Sequence, residues 1–286
     1  SSIKSTKQRG ITALIERFSD GQLISLIAAS IFAVHPIHNE PVGRVASGEV
    51  IFGFFIILTL YLFLKDRKHL SLITFALALL SKESAVMLPF GLTFLSTHKD
   101  GIKRGLISII PYALIVGLYF IIRALVVGVF FELEYEMTAQ PLSARIFTMA
   151  VATFDYIRLL LMPYPSSPYY PEMWYTSIAQ PKVLLTVVFL AAIFYLTFML
   201  RRDKSMLFIL LFPFIMLAPV IWKTNTFPVG GDFVYIAERF LYVPAMMSTL
   251  FIPAIIVKFS SAKSRIYFAV GSVAVVIIFC VMTTSA

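Results

Sequence analysis

The chain has 286 residues, a net charge of +9 and one cysteine, Cys280, and 59% of its residues are hydrophobic whereas only 14% are charged. This balance excludes a soluble domain and predicts an all-α polytopic membrane protein, and the lone cysteine excludes an intrachain disulfide and a cysteine-cluster metal site. The positive charge does not imply nucleic acid as a partner, because lysine and arginine accumulate in the cytoplasmic loops of membrane proteins.

Nine hydrophobic runs bounded by charged residues predict nine membrane-crossing helices. The runs are 22–38, 48–64, 70–80, 84–96, 105–127, 182–200, 206–222, 238–257 and 266–283. A hydrocarbon core about 30 Å thick needs about 20 helical residues, so the third and fourth runs are too short for ordinary spans. Their outer flanks are both basic, which favours a helical hairpin with both feet in the cytoplasm and its tip at 81–84. A single long tilted helix is the alternative.

Lysine and arginine in the loops predict the orientation of the chain. Five clusters hold 16 of the 24 basic residues, at 1–21, 65–69, 99–104, 201–204 and 258–265. Alternate threading of the spans places all five on one side, which the positive-inside rule assigns to the cytoplasm. The N-terminus is then cytoplasmic and the C-terminus lies on the outer side.

This threading requires residues 142–162 to return to the outer face rather than cross the membrane. The segment carries Arg145, Asp155 and Arg158 within an otherwise apolar run. Such a pattern is typical of an interfacial or re-entrant helix rather than of a span.

The stretch from His35 to Glu40, HPIHNE, lies where the first hydrophobic run ends. Pro36 removes a backbone donor and disfavours helix at the residue before it, so the span ends or kinks here and presents polar side chains at a helix end. Ionisable groups at the edge of a membrane core are candidates for function, and the alternative is an interfacial helix end with satisfied histidines. His35, His38 and Glu40 are also an alternative set of metal ligands, although their spacing differs from HExxH.

Eight basic residues fall near the predicted outer face, where orientation does not require them. They are Arg44, Lys82, Arg123, Arg145, Arg158, Lys182, Lys223 and Arg239. Lys182 and Lys223 flank spans and can snorkel to the interface. Arg44, Lys82 and Arg239 each lie close in sequence to a carboxylate. These carboxylates are Glu40, Glu83 and Glu238.

Charge pairs of this kind can simply fix helix packing, but three of them at one membrane face predict a shared polar cavity. Spare arginine and lysine in such a cavity suit an anionic ligand, and a lipid phosphate is the anion found at this depth. Nearby carboxylates can act as a general base or bind sugar hydroxyls.

Four ordered blocks resemble a known family. They are HPIHNE at 35–40, LLSKESAVMLP at 79–89, RIFTMAVATFDYIRLLLMPYPSSPYY at 145–170 and FPVGGDFVYIAERFLYVPA at 227–245. Their order and intervals are similar to those of the transmembrane and tetratricopeptide-repeat (TMTC) family of GT-C glycosyltransferases, which are related to protein O-mannosyltransferases. The resemblance covers residues 22–283.

The resemblance implies transfer of a sugar, mannose in the characterised branch, from a polyprenyl- or dolichyl-phosphate donor to Ser or Thr hydroxyls of an acceptor protein. It places the active site on the lumenal or periplasmic side of the endoplasmic reticulum membrane or of a bacterial or archaeal cytoplasmic membrane. The partners are then the lipid-linked sugar, the acceptor protein and the bilayer. The lipid-phosphate sugar is a substrate, and no cofactor is implied, a divalent metal being the less favoured alternative.

The charges and the resemblance together give a candidate site. The candidate catalytic carboxylates are Glu40 and Glu238. The candidate ligands of the donor phosphate are Arg239, Lys82, Arg145, Arg44 and Tyr242. The side chains expected to shape the site are His35, His38, Glu83 and Arg158.

The chain departs from the family pattern after the first block. A Gly-Arg-Ala-Asp-like stretch corresponds here to residues 47–50, SGEV, so Gly48 stands where arginine is expected and Arg44 is the candidate replacement. The acidic residues of the family's first outer loop, which include the expected main catalytic Asp, would lie upstream of residue 1, and tetratricopeptide repeats would follow the last span. Residues 1–286 are therefore expected to form a single transmembrane domain of a longer protein.

Two other functions stay open from the sequence. A transporter or flippase for a lipid-linked or anionic solute also places charges inside the membrane, but these charges would line a path to the cytoplasm. A catalytically inactive GT-C-like scaffold subunit is the other alternative, and Gly48 in place of arginine is compatible with it.

Overall fold

The computed structural model describes residues 20–43, 48–127, 140–224, 233–259 and 262–285. Arg44 and residues 225–232, which include the start of the fourth block, therefore lie outside the described residues. The described helices are α1 Asp20–Val34, α2 Asn39–Gly43, α3 Glu49–Leu64, α4 Lys68–Ser81, α5 Leu88–Asp100, α6 Ile102–Val127, α7 Leu142–Leu161, α8 Pro181–Leu200, α9 Lys204–Thr224, α10 Tyr242–Phe259 and α11 Ala262–Ser285. Three 3-10 turns join them, at Pro36–His38, Glu83–Met87 and Glu238–Leu241.

Two short strands are the only non-helical elements among the described residues, and the prediction of an all-helical chain did not include them. Strand β1, Tyr170–Met173, pairs antiparallel with β2, Phe233–Ile236, so that Tyr170 lies opposite Ile236. The pair joins the loop after α7 to the segment that leads into α10.

Five helices are long and apolar enough to cross a membrane. They lie at Ile102–Val126, Pro181–Leu200, Lys204–Trp222, Glu238–Phe259 and Tyr267–Thr284. The bent pair Asp20–Val34 and Pro36–Gly43 makes a sixth if it is counted as one span. Each of the nine predicted runs coincides with a described helix, but only these five or six qualify as spans by length and composition. The fold is thus that of an all-α, multi-pass membrane protein.

Helix α7 carries three charged residues and is not among the candidate spans, in line with the prediction of an interfacial or re-entrant helix. It buries Thr148, Tyr156 and Leu159 on one side. Helices α6, α8 and α11 leave most of their apolar residues exposed, as helices that border lipid do, whereas half of each span in α9 and α10 is buried within the protein.

Two predicted breaks occur where the sequence places them. His35 is extended and Pro36 begins a 3-10 turn, so the chain bends by 53° after α1. Lys82 is also extended, with φ −159° and ψ 133°, and it separates α4 from the turn Glu83–Met87. These breaks present side chains at helix ends rather than along helix faces.

The third and fourth runs form the predicted hairpin and not one long helix. Lys99 near the end of α5 donates a hydrogen bond from Nζ to Oδ2 of Asp66, which precedes α4, at 2.7 Å. The far ends of α4 and α5 therefore lie together, and the break at Lys82 lies at the opposite end.

The cluster 201–204 and Lys258 lie at the same end as Lys99. Lys258 at the end of α10 forms an ion pair with Asp203, which precedes α9. Helix α9 runs from this end to the other, because Phe208 stacks on Phe94 whereas Val220 lines a small cavity with Lys82. We call the end formed by 65–69, 99–104, 201–204 and Lys258 the basic end.

Three apolar clusters hold the described helices together. The largest joins α3, α4, α5, α6, α9 and α10 around Phe75, Leu88 and Phe212, and the second joins α7, α9, α10 and β2 around Tyr156 and Ile236. The smallest joins α1 to α10. In a membrane, helices associate through close packing and internal hydrogen bonds rather than through exclusion of water.

Small residues allow that close packing between α5 and α6. A Cβ at Gly105 would lie 2.5 Å from backbone atoms of Thr97, and the hydroxyls of Ser96 and Ser108 are 2.5 Å apart. The two backbones therefore touch where α5 meets α6.

Candidate functional site

Four irregular segments meet at the end of the bundle opposite the basic end. They are 35–43, 82–87, 162–173 and 233–241. Their side chains contact one another, and Arg239 takes part in several of these contacts. We use the name Arg239 site for Glu40, Lys82, Tyr169, Arg239 and Phe240.

Arg239 is held by Glu40 through backbone and side chain together. Its backbone N–H donates to Oε2 of Glu40 at 2.9 Å, and its Nη1 donates to Oε1 at 2.5 Å. Nη1 also donates to the Tyr169 hydroxyl at 3.1 Å. Because the Arg239 side chain is 21% exposed and that of Glu40 only 7%, the carboxylate forms the inner wall and the guanidinium faces outward.

The aromatic ring of Phe240 makes cation–π contacts with two basic side chains. The Nζ atom of Lys82 lies 4.6 Å from its ring centroid, and Cζ of Arg239 lies 4.9 Å from it. Lys82 also forms an ion pair with the buried Glu49. Cation–π contacts contribute about 0.5–2 kcal/mol each, more when desolvated, so the ring helps to hold both positive groups near each other.

Two of the three basic residues that neighbour a carboxylate in sequence form ion pairs with other carboxylates, and the third, Arg44, lies outside the described residues. Lys82 pairs with Glu49 rather than Glu83, and Arg239 pairs with Glu40 rather than Glu238. Glu83 instead accepts a hydrogen bond from Nη1 of Arg123 at 2.7 Å. The physical reason is that adjacent residues in a helical turn point in different directions, so charges find partners on other elements.

Glu238 binds the loop at residues 166–170 through several hydrogen bonds. The residue is 1% exposed, and its carboxylate accepts hydrogen bonds from the Ser166 hydroxyl at 3.2 Å, the Ser167 backbone N–H at 3.1 Å and the Tyr170 hydroxyl. Burial, followed by the hydrogen bond to Glu238, raises the pKa of Tyr170, so this phenol keeps its proton. Both oxygens of Glu238 are therefore engaged, and its predicted catalytic role stays a prediction.

The two histidines are part of the packing around the first bend. His35 donates from Nε2 to the Leu160 carbonyl at 3.1 Å, and its Nδ1 accepts from the Ile37 N–H at 3.4 Å. The ring of His38 lies 4.3 Å from Phe32 and 4.8 Å from Tyr242, centroid to centroid. Tyr242, a predicted phosphate ligand, thus contacts His38 rather than Arg239.

These contacts do not support the metal-site alternative. Both ring nitrogens of His35 bind backbone atoms, and both oxygens of Glu40 bind Arg239. Over the part of the chain that the structure describes, no three His, Cys, Asp or Glu side chains are placed to hold a metal ion.

Arg145 and Arg158 lie on α7, away from the contacts of the Arg239 site. Nε of Arg145 is buried and has no hydrogen-bond partner among the described residues. The Nε atom of Arg158 lies 3.5 Å from Oδ1 of Asp155, and its Nη1 donates a hydrogen bond to the Tyr164 carbonyl at 3.2 Å. Of the predicted phosphate ligands, the structure therefore brings together Arg239 and Lys82.

A second polar cluster surrounds a cavity of about 260 Å³ between α7, β1 and α8. The Nζ atom of Lys182 lies 2.9 Å from Oδ2 of Asp155 and 2.6 Å from Oε1 of Glu172. We call this cavity the α7–α8 cavity. Its lining residues are Phe154, Asp155, Arg158, Leu159, Tyr170, Glu172, Lys182, Leu185 and Ile236.

Sequence reasoning missed this cavity, since it treated Lys182 as an ordinary flanking residue. The usable signal was the i, i+3 pair of Asp155 and Arg158 inside an apolar run. Burial raises the pKa of Asp155, and it raises the pKa of Tyr175, which donates to Glu172 at 2.8 Å, to about 12.

No family model, curated protein or solved structure matches the chain. Its chemistry must therefore be argued from the two polar regions themselves. The Arg239 site can bind an anion, because it presents an anchored guanidinium and an ammonium at helix ends. The α7–α8 cavity offers both donors and acceptors, a combination that suits hydroxyl groups.

Proposed function

We propose that the chain is a GT-C-type membrane glycosyltransferase that moves a sugar, mannose in the branch it resembles, from a polyprenyl- or dolichyl-phosphate donor to Ser or Thr hydroxyls of an acceptor protein. The observation that carries the proposal is Arg239, which Glu40 holds at the start of a span, with Lys82 on the same phenylalanine ring. The reaction takes place on the outer or lumenal side.

Arg239 is well suited to a lipid phosphate. A guanidinium binds phosphate through two parallel, charge-assisted hydrogen bonds, a geometry that lysine cannot copy. Glu40 fixes both the backbone and Nη1 of Arg239, so little side-chain freedom is lost when a ligand binds. The position at the start of a span places the group at the depth of lipid headgroups.

In the transfer step the bond between the sugar's anomeric carbon and the phosphate oxygen breaks, and the acceptor hydroxyl oxygen forms the new bond. The departing phosphate gains negative charge, which Arg239 and Lys82 stabilise. Glu40 orients Arg239, and Glu238 orients the 166–170 loop. The acceptor's proton passes to a carboxylate of the protein, which acts as general base.

The topology belongs to the same proposal. Nine crossings with a cytoplasmic N-terminus put the basic end in the cytoplasm and the Arg239 site on the outer side, with α7 along the outer surface. The ion pairs Lys99–Asp66 and Lys258–Asp203 support this arrangement, since they gather the basic clusters at one end of the bundle.

The test is a transfer assay on purified full-length protein with radiolabelled dolichyl-phosphate mannose and a Ser/Thr-rich acceptor peptide. We expect label on the peptide, and the linkage should be to hydroxyl oxygens. An inactive result together with no measurable donor binding would contradict the proposal. Movement of the lipid-linked sugar across liposome membranes without transfer would favour the flippase alternative instead.

A further inference from the structure

The α7–α8 cavity has the size of a small ligand. Its volume of about 260 Å³ lies just below the range of about 300–1,000 Å³ that is typical of sites for drug-sized molecules. Arg158 and Lys182 are each about one-third exposed, at 34% and 32%, whereas Asp155 is 5% exposed. The cavity therefore has a closed floor at Asp155 and a mouth at the two cations.

The formal charges of the polar groups in the cavity balance one another. Asp155 and Glu172 supply two carboxylates, and Arg158 and Lys182 supply two cations. Lys182 binds both carboxylates, so the cluster is held together before any ligand arrives. A balanced cluster gives an ion of either sign no net attraction, but it supplies acceptors and donors to a neutral molecule with several hydroxyl groups.

The other walls are apolar. Phe154, Tyr170, Leu185 and Ile236 line the space between the charged groups. A pyranose ring has the matching pattern, because its hydroxyls lie around the edge and its C–H groups form apolar faces. Aromatic side chains cover such apolar surface at low entropic cost.

The cavity is also connected to the Arg239 site. Tyr170 lines the cavity and donates a hydrogen bond from its hydroxyl to Glu238, the residue next to Arg239. Ile236 lines the cavity and lies in β2, opposite Tyr170. A sugar ring in the cavity would therefore be separated by one side chain from the segment that carries the phosphate-binding arginine.

We infer that the α7–α8 cavity binds a neutral monosaccharide ring, with Asp155 and Glu172 accepting from its hydroxyls and Arg158 and Lys182 donating to its oxygens. The inference deepens the proposed function and rests on it for the link to the Arg239 site. Binding itself requires no transfer, so it can be measured separately.

The experiment is ligand-observed saturation-transfer NMR on the purified full-length protein with mannose and glucose as probes and inorganic phosphate as a competitor. The detergent is an amine oxide rather than a maltoside, because a sugar headgroup would compete for the site. We expect a saturation-transfer signal from at least one of the two sugars, and added phosphate should leave that signal unchanged.

Two variants assign that signal to the cavity. Leu185→Trp fills the cavity from an exposed wall position and leaves all four charged groups in place, and Glu172→Gln removes one acceptor. Each should weaken sugar binding at least tenfold. The matched control is Asp66→Asn, which alters a charged cavity of about 180 Å³ at the basic end and should leave binding unchanged.

Three results would overturn the inference. They are absence of binding by either sugar, equal binding in Leu185→Trp and wild type, and loss of the sugar signal when phosphate is added. If a short-chain polyprenyl-phosphate mannose displaces the free sugar, the cavity holds the donor's ring; if it binds without displacing the sugar, the cavity is a sugar site separate from the donor site. Sugar binding with neither transfer nor measurable donor binding would contradict the proposed function and leave the inference standing.

Discussion

If Arg239 binds the donor phosphate as proposed, it has both a structural and a ligand-binding role, and two substitutions separate these roles. Arg239→Ala removes the charge that compensates the largely buried Glu40, so we expect the free energy of unfolding to fall by about 3 kcal/mol, the low end for a broken buried pair. Arg239→Lys keeps a charge there and should melt closer to wild type. Its loss of bidentate geometry should nevertheless lower transfer about 100-fold.

The measurements are thermal melting in detergent beside donor binding for both variants. Arg201→Lys is the control, because Arg201 stacks on Phe198 at the basic end, with Cζ 3.8 Å from the ring centroid, and belongs to neither polar region. Unchanged donor affinity in a folded Arg239→Ala variant would show that Arg239 does not bind the donor.

At this scale the sequence identified residues better than it identified their partners. Glu40, Lys82, Glu238 and Arg239 stood out because charge is costly at a membrane edge, and all four lie at one end of the bundle. The partner of Arg239 is 199 positions away in the chain, and one sequence contains no signal for a contact at that separation. The cavity was missed for the same reason, because Asp155, Glu172 and Lys182 come from three elements.

Among the helices, the approach of α5 to α6 gives a direct test of packing. Gly105→Ala places a methyl group against the Thr97 backbone, which cannot yield as a flexible side chain can, so we expect a loss of about 1–3 kcal/mol in unfolding free energy. Gly117→Ala in the same helix meets no atom within 4 Å. It should be neutral or stabilising by about 0.5–1 kcal/mol, since alanine favours helix. Thermal melting of both variants is the check, and equal effects would argue against this helix contact.

The link between α9 and α10 should respond to acid. The hydrogen bond from Lys258 lowers the pKa of Asp203, so the native state favours the ionised carboxylate. Its contribution to stability is therefore present above the unfolded pKa of about 3.9 and is lost as pH falls through the lower folded value. Asp203→Asn should melt below wild type at neutral pH, and the difference should vanish in acid. A difference that stays constant down to the acid range would assign the effect to something other than this charge.

Helix positions were predictable because each hydrophobic run is bounded by charge or by proline. The hairpin of α4 and α5 followed from two basic flanks, and the Lys99–Asp66 pair joins those flanks. Strands β1 and β2 were not predicted, since four residues carry too short a pattern and the proline-rich sequence around Tyr170 reads as a loop.

For the molecule as a whole, the proposed topology places Ser166 and Ser205 on opposite sides of the membrane. Ser166 lies in the loop that Glu238 fastens, and Ser205 begins α9 beside the basic end. Cysteines introduced at these positions, with the exposed Cys280 replaced by serine, should react with an impermeant thiol reagent from opposite sides of sealed vesicles. Labelling of both from the same side would refute the nine-crossing arrangement.

The overall architecture could be predicted only in outline. Composition and hydrophobic runs predict a multi-pass helical protein, because a bilayer demands long apolar helices. The number of crossings depends on how short helices such as α3 and α4 sit in lipid, and neither length nor hydropathy determines that.

The ion pairs at the two ends of the bundle differ in how accessible they are to dissolved ions. Asp66, Lys99, Asp203 and Lys258 are all substantially exposed, whereas Glu40 and Glu49 are shielded behind their partners. Dissolved salt screens exposed pairs over a distance of about 8 Å at physiological ionic strength and acts much less on buried ones. Anionic lipids compete for exposed lysines in the same way, at about 1 kcal/mol per charge. The strength of the ion pairs at the basic end should therefore change with salt concentration and lipid charge, whereas the geometry around Arg239 should stay the same.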